Sequence, residues 1–368
     1  MQASGTPRAM SAPPGETQTQ TQTLVLPLPR LVMPVARHPQ HEAIERQLAI
    51  DDYPYIVQHY RSDTAARRFL AQRIPAYGSL CYPNARPDRV YALHRMMHVT
   101  TLMDDAFTHL ARTGDQAGLD ALREHFLAAV DGTPPPADVP SARLLHDTLQ
   151  LMRAQGEARP AFCRRFAECI REQIHTQASP TATDAARLSL ADYLAFRRVE
   201  GFGHWITLLT EYALDIDMGQ RLAQHAALAD ARDATIDSVI LVNDLFSFRK
   251  EWSAHERFNA VWILMRVEQL NAQAALDRLA VLCTSNEHRL IDAREAVATG
   301  ALAGDADAQA YVTELGYMSA GNAEFHAFST RYHGDDLGGG RFAGGAVAMT
   351  ALPTLEEIAA ADRHASPR

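Results

Sequence analysis

Cysteine is scarce in this sequence: Cys81, Cys163, Cys169 and Cys283 are the only four among 368 residues, and no CxxC spacing occurs. That rules out a disulfide framework and suits reduced thiols in a cytosol. Long apolar runs are missing as well. None reaches the ~18 residues that a bilayer span requires, so stable membrane insertion is not expected. The opening MQASGTPRAMSAPPGE has neither the basic start nor the apolar stretch of a signal peptide, and a cytoplasmic location is the expectation. Positive charge is in deficit, 35 basic against 44 acidic residues for a formal −9, which argues against general nucleic-acid binding. Hairpin dipeptides between β-branched runs, a βαβ rhythm and a fixed-period repeat are all absent. What remains is an ordinary globular composition, 47% apolar and 21% charged, with ample material for a large core.

Residues 1–22 are rich in Pro, Gln, Thr and Ser, with a Gln-Thr alternation from Thr17 to Thr23. Such composition buries too little apolar surface to offset its ordering entropy, so a disordered tail is expected. Over 23–40 apolar residues alternate with Pro27, Pro29 and Pro34, which suits an extended strap over a folded body. From Gly334 to 368 the Gly338–Gly340 run and Pro353 suggest a weakly ordered tail. Between these, over 41–333, nearly every segment has helical period: 64–76, 87–113, 115–130, 140–155, 159–177, 189–214 with an interruption near Gly201 and Gly203, 226–252, 258–270, 272–299 and 305–332. About ten helices with short connections make a single all-α domain.

The segment from Met96 to His109, MMHVTTLMDDAFTH, sets Asp104 and Asp105 among apolar neighbours. Adjacent carboxylates repel each other and lose hydration on burial, so the pair needs a cation or strong donors, or else it sits exposed near a helix end. As a binding site it offers hard oxygens, which suit Mg²⁺. Further on, ILVNDLFSFRKEW from Ile240 to Trp252 places Asn243, Ser247 and Glu251 at i, i+4 and i+8. At ~100° and ~1.5 Å per residue they span ~80° of arc and ~12 Å of length, one stripe of amide, hydroxyl and carboxylate oxygens. The stripe either holds a hard cation or turns the helix's polar side to solvent.

In order and separation these segments resemble the class I terpene cyclases of bacteria. That family carries an aspartate-rich motif, DDxxD or DDxxxE, and later NDxxSxxxE; here they read as Asp104-Asp105 and, roughly 140 residues on, Asn243 to Glu251. Arg197, Glu200 and Gly201, in FRRVEGFG, match its diphosphate-sensing arginine, acidic linker and helix-break glycine, the arginine lying 46 residues before Asn243. Arg331-Tyr332 matches the family's C-terminal Arg-Tyr pair, and Phe325 takes the place of an aromatic, often Trp, six residues earlier. The resemblance covers about 90–335. One departure stands out. The third acid of the first motif is missing, with Thr108 at the DDxxD position and His109 at the DDxxxE position. Metal binding on that helix should then fall mainly to Asp104, leaving Asp105 to face Arg197.

The resemblance implies a single-domain class I terpenoid synthase bundle around a central apolar cavity. It implies three Mg²⁺ ions and a prenyl diphosphate, farnesyl diphosphate above all, which is ionised and cyclised to a sesquiterpene with release of diphosphate. The metal ligands would be Asp104, Asn243, Ser247 and Glu251, with Asp105 a further one. Arg197, Lys250, Arg331 and Tyr332 would donate to the diphosphate, which an acidic protein can bind only through metal and a few placed donors. Glu200 would link the sensor to the break, where the Gly201 carbonyl faces the cation. Met97, Thr101, Phe202, Trp205 and Phe325 would form cavity wall, although each also reads as plain core. Closure is expected to draw Arg197, Arg331-Tyr332 and the strap over the mouth. The alternatives are a ten-carbon, twenty-carbon or methylated substrate, or a silent protein that binds prenyl diphosphates without turnover. A chain-elongating synthase would want a second DDxxD, which the sequence lacks. The expected partner is the small-molecule substrate alone, for a monomer or a homodimer.

Overall fold

The computed structural model describes residues 22–156, 160–178, 187–253 and 256–365. The tail expected to be disordered over 1–22 therefore lies outside the described residues, Gln22 excepted. The helices begin with α1 (His41–Asp51), α2 (Tyr53–Tyr60), α3 (Asp63–Ala71) and α4 (Pro75–Cys81). Then come α5 (Val90–Thr113), α6 (Gln116–Val130), α7 (Pro140–Gly156), α8 (Pro160–Thr176), α9 (Leu190–Glu200) and α10 (Gly203–Leu214). The second half holds α11 (Gly219–Gln224), α12 (Ala226–Ser253), α13 (Ala260–Val267), α14 (Ala272–Thr299), α15 (Ala306–Phe328), α16 (Thr330–His333) and α17 (Leu355–Ala365). Two short strands, β1 (Thr23–Leu26) and β2 (Gly345–Ala348), pair antiparallel, Thr23 opposite Ala348 and Leu26 opposite Gly345.

Local chemistry sets the helix ends. Ser189 and Asp192 form a reciprocal capping box at α9, and Asp305 Oδ1 accepts from Ala308 N at 3.0 Å at the start of α15. α5 stops at Gly114, whose φ of 68° is left-handed. α12 is buried on most of its circumference and packs against both α14 and α15, so it forms the axis of the bundle.

The expected interruption separates α9 from α10, but the unusual backbone is not at the glycine. Gly201 has φ −84°, and Phe202 takes the left-handed conformation at φ 62°. The glycines serve close approach instead. A β-carbon at Gly201 would stand 2.9 Å from the Arg197 carbonyl oxygen, and one at Gly203 only 2.2 Å from an Ile236 methyl.

The Pro-rich stretch runs along α14. Leu24, Leu26 and Met33 are buried. The Gln273 side chain accepts from Val25 N and donates to Val25 O, each at 2.8 Å. Glu287, wholly buried, accepts from Val32 N at 2.8 Å and Met33 N at 3.0 Å. The stretch from Gly334, expected to be weakly ordered, instead contains β2 and α17, with Leu355 and Ala359 buried and Asp335 and Asp336 paired to Arg68 and Arg249. Pairing across the whole chain supplies order that its glycine-rich composition does not. Glu287→Ala should cost ~1–3 kcal/mol, because the buried Met33 N–H loses its acceptor, and should expose 22–40 to proteolysis. Thermal unfolding and limited digestion measure the two effects; an unchanged melting temperature would show that the anchor contributes nothing.

Candidate active site

Asp104 and Asp105 lie in the C-terminal half of α5 against α16. Asp105 accepts from Tyr60 OH at 2.9 Å and from Arg331 Nη2 at 2.9 Å, while the same Nη2 stands 3.3 Å from Asp104 Oδ2. Burial pushes the Asp105 carboxyl up, but Arg331, Lys250 and the Tyr60 hydroxyl outweigh it and hold the pKa below its ordinary value. Asp104 fares differently. Surrounding protein, Asp105 and Glu200 raise it to about 6 against the pull of Arg331 and Lys250, although 39% of its side chain still reaches solvent. His109 is exposed, and it shares with Asp105 the electrostatic neighbourhood of His59 and Glu356.

On α12, Asn243, Ser247 and Glu251 form the expected stripe. Asn243 Nδ2 donates to His326 Nε2 at 3.0 Å and to Tyr332 OH at 3.3 Å. Glu251 Oε2 accepts from Asn259 Nδ2 at 2.8 Å, and Ser247 Oγ lies 3.4 Å from the same nitrogen. Burial, then Asp244 and Glu256, raise Glu251 to about 7. Among the described residues no basic side chain pairs with it. Lys250, the only lysine in the sequence, adjoins the stripe and lowers the pKa of both Asp104 and Asp105. Tyr332 therefore reaches the second motif while its chain neighbour Arg331 holds the first.

Arg197 departs from expectation. It pairs with Glu200 one turn along α9 and lies 3.6 Å from Asp244 Oδ1, not with Asp105. The reason is local: an i, i+3 carboxylate on its own helix and a buried aspartate on α12 lie nearer, and Arg331 already occupies Asp105. Arg197 and Arg331 thus sit on separate helices, each held by its own carboxylates. The Glu200 carbonyl, orphaned at the end of α9, accepts from Gln173 Nε2 at 2.6 Å and Gln177 Nε2 at 3.1 Å. The Gly201 carbonyl accepts from no backbone N–H among the described residues.

Of the candidate wall residues, Met97, Trp205 and Phe325 are buried, and Thr101 and Phe202 are half-buried. Phe202 leans on Trp205 with centroids 5.6 Å apart, and the Trp205 indole N–H is buried without a partner. Phe325 stands edge-on to Tyr77 at 5.4 Å and to Tyr332 at 6.3 Å. Sequence reasoning missed Tyr60, Asn259, His326, Gln173 and Gln177. Asn259 had a signal, since it caps α13 by accepting from Val261 N at 2.8 Å just beyond the motif; the others are joined to the site only by tertiary packing.

No three His, Cys, Asp or Glu side chains among the described residues form a ready-made metal cluster. The donors are mixed instead. Glu251 and Asp104 are carboxylates whose surroundings favour protonation, beside amide and hydroxyl oxygens, and a hard divalent cation would relieve that penalty. The residues present fit such an ion.

A mostly helical bundle brings two oxygen-rich motifs to one end, with an arginine and a tyrosine between them, an arrangement chemically suited to a hard cation and an anion. Residues 95–289 match the family profile "Terpene synthase family 2, C-terminal metal binding", and the chain belongs to this terpene synthase family. It is 25% identical over 281 residues to "Microbial Terpene synthase-like protein 13" of Selaginella moellendorffii, covering 75% of this chain and 78% of that one. It is 24% identical over 304 residues to "Sesquiterpene synthase 3" of Postia placenta, covering 79% of each. Germacradien-4-ol synthase from Streptomyces citricolor superposes with a TM-score of 0.65 at 19% identity, over 82% of this chain and 98% of that one. This last likeness establishes a shared fold.

Proposed function

We propose that this terpene synthase is a Mg²⁺-dependent sesquiterpene cyclase, with farnesyl diphosphate as substrate. The observation that carries the reading is the position of Arg331-Tyr332: one residue holds Asp104 and Asp105, the next touches Asn243, so both motifs and the donors share one neighbourhood. Asn243, Ser247 and Glu251 on one side, and Asp104 with Asp105 on the other, would hold three Mg²⁺ ions. Bound there, the ions would neutralise the charge that develops on the departing diphosphate.

The chain's own residues do the rest. With Asp104 and Asp105 committed to metal, Arg331 would be free to make forked contacts with diphosphate oxygens, joined by Tyr332, Lys250 and Arg197. In the resting protein the two carboxylates hold this arginine in place. The allylic cation left behind is shielded by Met97, Thr101, Trp205 and Phe325, with the ring of Phe202 offering a π face and the Gly201 carbonyl a negative dipole. Excluding water there protects the cation from quenching. The relative named as a sesquiterpene synthase supports the fifteen-carbon choice.

Parallel incubation with geranyl, farnesyl and geranylgeranyl diphosphates and Mg²⁺ tests the reading. Diphosphate release with a cyclic fifteen-carbon product from farnesyl diphosphate is expected. No release from any of the three would leave a silent binder and overturn it. Metal binding should also depend on pH. Glu251 near 7 and Asp104 near 6 carry protons that compete for the same oxygens, so affinity should fall as pH drops from 8 to 6. Calorimetry in two buffers of different ionisation heat should show proton release on binding at pH 6.5 and little at pH 8.5; no release at either pH contradicts the assignment.

A further inference from the structure

We propose that His326 is a positioning residue that aims the Asn243 side chain, holding its amide nitrogen so that its amide oxygen is presented for metal ligation. The inference rests on the reading of Asn243 as a metal ligand. An asparagine amide has two near-isosteric faces, and only its carbonyl oxygen can bind a cation. A rotation by half a turn would present NH₂ to the ion. Something must decide between them.

The decision can be followed atom by atom. His326 is buried, and its Nδ1 lies 2.7 Å from the Asn322 carbonyl oxygen. A carbonyl can only accept, so Nδ1 carries the hydrogen. In the neutral ring Nε2 is then an acceptor, and the group facing it at 3.0 Å has to be a donor. That group is Asn243 Nδ2. The flipped amide would set oxygen against a lone pair, so the ring's tautomer selects the amide's orientation. Tyr332 takes the second amide hydrogen on its hydroxyl oxygen at 3.3 Å. With both hydrogens committed, the Asn243 oxygen faces away from α15 and α16.

The ring itself is fixed. It stacks on Tyr332 with centroids 4.2 Å apart and planes 29° off parallel, and it packs at 5.9 Å against Phe246. An amide nitrogen can only donate, so its approach at 3.0 Å itself requires an unprotonated Nε2. The second partner of a metal ligand typically governs affinity by ~10–100-fold.

The test reads Mn²⁺ binding by electron paramagnetic resonance, with and without inorganic diphosphate, in His326→Phe, His326→Gln, Asn243→Ala and the Asn243→Ala/His326→Phe double variant. His326→Phe keeps the ring but loses the acceptor, and should weaken Mn²⁺ at least ~10-fold. His326→Gln, whose side-chain oxygen can replace Nε2 as acceptor, should restore most of that. In the double variant the histidine change should add little to the asparagine change. If Asn243→Ala weakens binding while His326→Phe binds as the parent does, the positioning role is wrong and the ligand assignment stands. If Asn243→Ala itself binds as the parent does, the ligand assignment fails and takes this proposal with it. Long-range ¹⁵N correlation on the unaltered protein gives a check that needs no variant to fold: the Nδ1–H tautomer of His326 is expected, and the Nε2–H tautomer overturns the proposal.

Discussion

Asn243→Ala, Ser247→Ala and Glu251→Gln should each cut turnover at least ~10²-fold, because each removes an oxygen ligand from the charge neutralisation that ionisation requires. The three differ in what else they disturb. Asn243→Ala also strips His326 and Tyr332 of a donor, and Ser247→Ala removes a hydroxyl that lies 3.4 Å from Asn259 Nδ2 and hydrogen-bonds Glu251. Glu251→Gln is the sharpest case, since it keeps the shape and an oxygen for Asn259 but removes a charge that burial already disfavours. Its folded pKa lies near 7, above the ~4.3 of an unfolded chain, so the parent protein loses stability as pH rises between those values. The variant should therefore equal the parent in stability below pH ~4 and exceed it above pH ~7, while activity collapses. Loss of function with a gain in stability marks a residue kept for chemistry. Near-normal turnover at saturating metal in any two of the three would show that the stripe is not a metal site.

How much of this was legible in the sequence depends on the distance over which the cause acts. The long helices announce themselves through their own period, and α5, α12, α14 and α15 lie close to where it places them. α1 and α2 escape it because they are short, eleven and eight residues, with Pro54 in the first turn of α2. The strands β1 and β2 could not be read from their surroundings, since each is a strand only because the other, more than 300 residues away, supplies its hydrogen bonds. The site shows the same division. Asn243, Ser247 and Glu251 share a face by helical arithmetic alone. Which arginine meets Asp105 is a tertiary fact, and the sequence reading chose Arg197 where the structure has Arg331. His326 and Asn259 are ordinary residues in their own segments and become part of the site only when α15 and α13 pack against α12.

Asp104→Asn should be far more damaging than His109→Ala, by ~10²-fold or more in turnover against a change within ~3-fold, with folding intact by circular dichroism. The first motif lacks its third acid, and His109 occupies one of the places where that acid belongs. A hard Mg²⁺ ion prefers oxygen to imidazole nitrogen, so the histidine is a poor substitute for a carboxylate. Its side chain is exposed, whereas Asp104 shares Arg331 with Asp105 at 3.3 Å. Asp104 is also the carboxyl of the pair better placed to exchange partners. Asp105 holds Arg331 and Tyr60 at 2.9 Å each and stays ionised, while Asp104 is raised to about 6 and keeps a longer contact. Amidation of Asp104 leaves Arg331 on Asp105, so the fold should tolerate it; what it removes is the ligand. The metal dependence tells the two roles apart. Asp104→Asn should require at least ~10-fold more Mg²⁺ for half-maximal turnover, and His109→Ala should follow the parent curve. Equal damage from the two substitutions would place His109 in the chemistry and overturn the assignment of the first motif.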